Sequence, residues 1–321
     1  MRIPGFKTVR RFVDWLSSRT APRALVLGYH RIDEALDDPF AMVTPPELFR
    51  RHLEVLAEES SPISLGGLIE GLPDGVLGRG SLLVTIDDGY ADALRHAEPA
   101  LVERGIPAAV FVATGLLDSV PWWEALAAAI PREQALPDRM SIDVDGRSVG
   151  WRSPATTLNG RAERINELHR TLVEWPQPER DAVIERIGTE LHARAPREQA
   201  PRGLTRDELL RLADGGIVEI GAHGVHHSLL ASLSAEAQRF EIDESKRDLE
   251  EVLGRPLRAF SYPNGSSSEL TRALVRESGF SCAFASHSGV ATASGDAYLL
   301  PRFWVGRMEP DALRRLIRYW R

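Results

Sequence analysis

An α/β fold is what this sequence predicts, and three observations carry that expectation. Short apolar runs alternate with helix-patterned stretches along most of the chain, the arrangement that builds a sheet covered by helices. Several of those helices have legible starting signals. Several apolar runs also lead directly into acids, histidines or a Pro-Asn-Gly turn, at the strand ends where α/β folds place their sites.

The candidate strands are residues 24–29, 81–86, 108–113, 217–220, 258–262, 281–285 and 298–305. Thr44-Pro45-Pro46-Glu47 offers a cap, a proline at the first helical position and a returning glutamate. Thr205 and Glu208 repeat the capping-box spacing, and Ser234 opens a long polar helix expected to stop near Gly254-Arg255-Pro256. From about residue 118 to 200 the alternation breaks. Trp122-Trp123 is followed by Ile142, Val144, Val149 and Trp151 around an Asp145-Gly146 turn, a hairpin pattern, and then by helical stretches near 155–174 and 178–195. This segment reads as an insertion packed on a main domain of residues 24–321. Residues 1–23 form a basic amphipathic segment ahead of it.

At 321 residues the chain is long enough for one large α/β domain, and 43% hydrophobic with 26% charged residues describes a folded globule. A net charge of −7 argues against a nucleic-acid partner, which needs a basic face. The single cysteine, Cys282, excludes an internal disulfide framework and is expected as a small buried strand residue. No run approaches the length of a transmembrane helix. Residues 1–20 lack the continuous apolar stretch of a secretory signal, so the expected location is cytoplasmic. Both the 1–19 segment and the tail from 311 to 321 pattern as basic amphipathic helices able to lie on an anionic membrane. The alternative for each is a helix packed on the main domain with its arginines facing water. The sequence leaves the oligomeric state open.

Three clusters carry chemistry. In Thr85-Ile86-Asp87-Asp88-Gly89 a strand runs into two adjacent carboxylates; a helix cap would use one acid, and a second beside it adds repulsion. In Gly221-Ala222-His223-Gly224-Val225-His226-His227 a strand runs into three histidines, and His223 and His227 are spaced to aim at one ion. Histidine nitrogens with an aspartate oxygen suit zinc or another divalent transition metal. In Phe260-Ser261-Tyr262-Pro263-Asn264-Gly265 a strand ends in a rigid turn, which is either only a turn or one that presents a backbone N–H to a developing oxyanion.

In this order the clusters resemble the polysaccharide deacetylase family, also called the NodB-homology domain or carbohydrate esterase family 4. The resemblance spans roughly residues 24–305, interrupted by the 118–200 segment. It implies a distorted (β/α) barrel of about seven strands and a hydrolase that removes the N-acetyl group from an acetylated amino sugar. It also implies one divalent ion, zinc first among the candidates, held by Asp88, His223 and His227. Asp87 would be the general base, and the backbone N–H of Asn264 would serve the oxyanion. A deformylase of lipid-linked sugars would use the same residues. A non-catalytic carbohydrate binder would not need a base beside a metal, and a structural zinc site would be closed by four ligands.

Two departures from the family pattern matter. Ser261 stands where common members carry the arginine that holds the catalytic aspartate, and Arg302 is the candidate replacement. The late histidine that supplies the general acid is missing. His30, in Gly28-Tyr29-His30, resembles the Tyr-His of permuted members and is the candidate acid, ahead of His287. His52, His96, His169 and His192 fall on expected helices and read as surface or packing residues. Trp122, Trp123, Trp151 and Trp304 either stack on sugar rings or belong to the core.

Overall fold

The computed structural model describes residues 23–34, 37–132, 136–152, 158–193 and 201–320. The amphipathic pattern of residues 1–19 lies outside them. Seven parallel strands form the centre: β1 (Arg23–Tyr29), β2 (Ser81–Ile86), β3 (Ala108–Val112), β4 (Val218–Ala222), β5 (Ala259–Ser261), β6 (Cys282–Phe284) and β7 (Phe303–Trp304). Each of β1 to β5 pairs with the next in parallel register. The sheet then curls back on itself. Leu300 bridges Phe284 of β6, and β7 pairs with β1 through Leu27↔Phe303 and Gly28↔Trp304. This is the distorted (β/α) barrel expected from the sequence. The last expected strand is shorter than residues 298–305, because its two ends serve different neighbours.

Alternation along the strands sorts the core. Val26, Leu83, Phe111, Ala259, Cys282 and Phe284 form one cluster, closed at one end by Leu65, Leu68 and Leu72. The alternate residues Leu27, Val84, Val110 and Ile220 pack instead with Phe49, Leu53, Leu209 and Leu249 of the surrounding helices. Continuing the first set by twos leads to Thr85 and Asp87 and to Ser261, and the same steps from Gly221 and from Leu300 lead to His223 and to Arg302 and Trp304. Inward parity thus carries polar groups to the carboxyl end of the barrel. Gly28 is required there, since a Cβ would come within 2.6 Å of the Trp304 ring.

The cap signals divide. Thr205 and Glu208 close a full capping box on Arg206–Asp214, and Ser234 caps Ala235–Leu253, which ends at Gly254 with φ 64°. Pro46–Glu59 begins without a side-chain cap, because its N-cap is Pro45, one residue past Thr44, whose hydroxyl donates to the Gly306 carbonyl. The 118–200 stretch holds a helix that the hydrophobic pattern did not separate, Trp122–Ala129, the hairpin Met140–Val144 with Arg147–Trp151, and the helices Leu158–Leu172 and Gln177–Glu190. Its apolar cluster joins Trp122, Trp123, Ile142, Trp151, Ile165, Leu168 and Ile187 with Tyr90 and Leu116 from the barrel rim.

The tail helix Pro310–Trp320 buries Leu313 and Ile317, and Arg314 and Arg318 both bond to Glu59. Its apolar face is therefore occupied by the protein itself. Among the described residues no helix is long and apolar enough to cross a membrane.

Candidate active site

A pocket of about 340 Å³ opens at the carboxyl end of the strands and is lined by all three sequence clusters. Asp87 follows β2, is 2% exposed and meets Arg302 in two parallel hydrogen bonds, Nη1 to Oδ1 at 2.7 Å and Nη2 to Oδ2 at 2.8 Å. Arg302 is completely buried; it also donates to the Ala285 carbonyl, to Thr85 Oγ1 and to Ser261 Oγ. Ser261 donates in turn to Asp87 Oδ2 at 3.1 Å. The arginine missing from the third cluster is thus supplied by the segment leading into β7, with the serine bridging acid and base. Burial is the largest influence and works against the Asp87 charge, but Arg302, His223 and His30 together outweigh it, and the pKa falls below the ordinary carboxylate value.

Asp88 turns the chain at φ 75°, and neither it nor Asp87 caps a helix; the next helical stretch starts at Ala93. The turn aims Asp88 Oδ1 at His223 Nε2, 3.4 Å away, and at His227 Nε2, 3.3 Å away. His223 sits at the end of β4 with its Nδ1 against the Ser261 carbonyl at 2.7 Å, which fixes the tautomer that leaves Nε2 facing Asp88. His227 is brought round by a loop, not a helix, through Gly224 at φ 75° and its own φ of 55°. Left-handed non-glycine residues are costly and gather at functional sites; Asp88, His227 and Asn264 are three of them.

One atom shows that the three ligand candidates fit a metal. Asp88 Oδ1 is buried and accepts no hydrogen bond although two imidazole nitrogens face it. The three donor atoms lie within 4.8 Å of one another. Ligand bonds of ~2.0–2.1 Å in a tetrahedral site put donor atoms about 3.3 Å apart. The two separations from Asp88 Oδ1, 3.4 and 3.3 Å, match that edge.

His30 follows β1 and stacks on Trp304 with ring centroids 4.3 Å apart, lining the same pocket as Asp87, Asp88 and His223. The β1–β7 pairing puts it there. Burial lowers its pKa below the ordinary imidazole value, and Asp88 and Asp87 pull the other way. Asn264 lines the pocket from a left-handed turn at φ 53°. His287 is exposed and is not part of the pocket.

Sequence reasoning missed several contributors. Glu241, on the long polar helix, is 4% exposed and accepts from the backbone N–H of Val225 and His226, from His226 Nδ1 and from Ser228 Oγ. It holds the loop that delivers His227, and it explains why His226 stays out of the triad. Trp123 packs on His227 at 4.8 Å and donates to Tyr90 Oη, which donates to Glu124, itself facing the buried Arg31. His169, read as a surface or packing residue, lines the pocket together with Asn166 from the same helix. No local signal marks these residues, because their neighbours are distant in sequence. Of the four tryptophans, Trp123 and Trp304 line the pocket, whereas Trp151 is core at 2% exposure. Cys282 is buried, as expected for a strand residue, and burial pushes its thiol up to about 12.

Comparison with known proteins bears on the same residues. Residues 182–283 match the sequence model of the family described as Polysaccharide deacetylase. The chain resembles the polysaccharide deacetylases. The matched segment contains His223, His227, Ser261 and Asn264, while Asp87, Asp88, Arg302 and His30 lie outside it. No curated protein sequence matches the chain. Among solved structures, the Streptococcus pyogenes deacetylase PplD in complex with acetate superposes with a TM-score of 0.62 at 18% identity, over 92% of this chain and 99% of that one. IcaB from Ammonifex degensii gives 0.59 at 18% identity, over 93% and 97%. A de-N-acetylase from Aggregatibacter actinomycetemcomitans gives 0.58 at 14% identity, over 93% and 100%. At these identities the likeness shows a polysaccharide deacetylase fold.

Proposed function

We propose that the protein is a metal-dependent hydrolase that removes the N-acetyl group from an acetylated amino sugar in a glycan, glycolipid or glycan precursor. The observation that carries this reading is one pocket in which an arginine-clamped carboxylate, Asp87, stands beside the Asp88, His223 and His227 donor set. When bound there, a divalent ion, for which zinc suits two histidines and one carboxylate, supplies Lewis-acid polarisation of the amide carbonyl and lowers the pKa of water.

The chain's own residues account for the remaining steps. Asp87, kept ionised by Arg302, takes the proton of the attacking water. Ser261 and Arg302 fix the carboxylate plane, so the accepting oxygen does not have to search for its geometry. The Asn264 turn offers a backbone N–H to the carbonyl oxygen as negative charge develops on it. His30 delivers a proton to the departing nitrogen, since an unprotonated amide nitrogen is a very poor leaving group. Burial lowers the pKa of this imidazole and the two aspartates oppose that, so the carboxylates favour the protonated form that the step requires. We further propose a cytoplasmic location, with the basic 1–19 segment able to contact the membrane face.

The test is acetate release by the purified, metal-loaded chain from a panel of N-acetylhexosamine glycans, nucleotide sugars and lipid-linked sugars. Release from at least one class is expected. Formate release from N-formyl sugars without any acetate release would replace the proposal with a deformylase.

A further inference from the structure

The polar groups at the barrel end are nearly all committed. Both Asp87 oxygens face Arg302, Ser261 bonds to Asp87 Oδ2 and to Arg302, and His223 Nδ1 is held by a backbone carbonyl. Groups able to read the hydroxyl pattern of a sugar must come from elsewhere in the pocket wall. The helix Leu158–Leu172 of the inserted segment provides two of them, Asn166 and His169, three positions apart and so on one helix face.

Asn166 has a defined orientation. Its Nδ2 donates to the Pro39 carbonyl and to the Ala162 carbonyl, each at 2.8 Å. Both amide hydrogens are thereby used, which fixes the side-chain flip and leaves Oδ1 as an acceptor. His169 is held by its faces instead of its nitrogens. It lies flat on Trp122 with centroids 4.7 Å apart and an angle of 6°, and Phe40 packs on it at 5.2 Å. The opposite face of Trp122 is covered by the Arg180 guanidinium at 4.5 Å, so the stack is rigid. Within the described residues neither ring nitrogen of His169 makes a hydrogen bond, and the residue is half-buried at the pocket wall. Burial, aided by His227 and Arg180, pushes this imidazole down to about 4. It is therefore neutral near pH 7, with one donor and one acceptor.

A fixed amide acceptor beside a fixed, uncommitted donor–acceptor is the complement of adjacent hydroxyl groups, each of which both donates and accepts. Phe40 and Met42 supply apolar surface next to them for the C–H faces of a ring. We infer that Asn166 and His169 form a hydroxyl-recognition subsite for the sugar ring of the substrate, carried by the insertion into the pocket that holds Asp88, His223 and His227. This deepens the N-deacetylase reading and rests on it for the reaction, but binding can be measured without turnover.

The experiment compares N-cyclohexylacetamide, which has the amide and no hydroxyl, with the methyl glycosides of N-acetylglucosamine, N-acetylgalactosamine and N-acetylmannosamine. Binding to the full chain is followed by ligand-observed NMR and calorimetry. The unmodified protein should bind at least one glycoside more tightly than the amide. His169→Phe keeps the aromatic stack and removes the polar atoms; it should weaken that glycoside about 10- to 100-fold, the cost of leaving hydroxyls without partners, and remove most of the preference over the amide. Asn166→Leu should act in the same direction and serves if the first variant does not fold. In turnover, KM for the glycoside should rise far more than KM for phenyl acetate. The proposal is overturned if no glycoside binds more tightly than N-cyclohexylacetamide, or if folded variants keep the preference. Preserved glycoside binding with no acetate release from any sugar would sink the reaction assigned above and leave the subsite standing.

Discussion

Arg302 and Asp87, 215 positions apart in sequence, face each other in a buried two-point contact at 2.7 and 2.8 Å, with Ser261 Oγ bonded to both. Burial alone would raise the Asp87 pKa, and the contact, together with His223 and His30, reverses that. The linkage has a definite sign. A depressed carboxylate pKa contributes stability that is present above the unfolded value, near 3.8, and is lost as pH falls through the folded one. Arg302→Met should cost about 3–5 kcal/mol near neutral pH, because an uncompensated carboxylate is left buried. The acid limb of kcat/KM should move to higher pH, as Asp87 then holds its proton longer. Denaturant melts and a pH–rate profile check both, and an unmoved acid limb would separate Arg302 from the base.

Metal content is the next expectation. Inductively coupled plasma analysis should find about one divalent ion per chain, reduced strongly in Asp88→Ala, His223→Ala and His227→Ala. Asp87→Asn should keep its metal and lose ~10²–10⁴ in rate, the usual cost of a removed general base. Loss of the ion in that variant would mean that Asp87 shares the ligand role.

His30 is tested by the leaving group. His30→Ala should retain fold and metal while losing most turnover on an N-acetyl sugar. On an activated aryl ester, whose leaving group departs without a proton, the loss should be much smaller. Equal losses on both substrates would leave His30 as a packing partner of Trp304.

The membrane proposal now rests on residues 1–19, since Leu313 and Ile317 of the tail are buried within the protein. The full chain should co-sediment with phosphatidylglycerol vesicles at low salt and release at high salt, and a chain lacking residues 1–19 should not bind. No sedimentation at low salt removes the proposal.

What the sequence determined by itself was local. An apolar run ending in two acids, or in histidines four apart, is visible in one window, because strand residues alternate and loop residues at strand ends have few other uses. Seven strand positions, the capping box of Thr205 and Glu208, and the candidates Asp87, Asp88, His223 and His227 all follow from such windows. Arg302 and His30 could be nominated, but their placement depended on closure, since β7 had to pair with β1 before His30 could stack on Trp304. Glu241, Asn166 and His169 were illegible. Each lies on a helix whose pattern is satisfied without it, and each reaches the site only because that helix packs at one particular place. Tertiary structure decided those residues for a physical reason: a side chain's chemistry is set by neighbours within a few ångströms, and here those neighbours are distant in the chain, as Pro39 is from Asn166, 127 positions away.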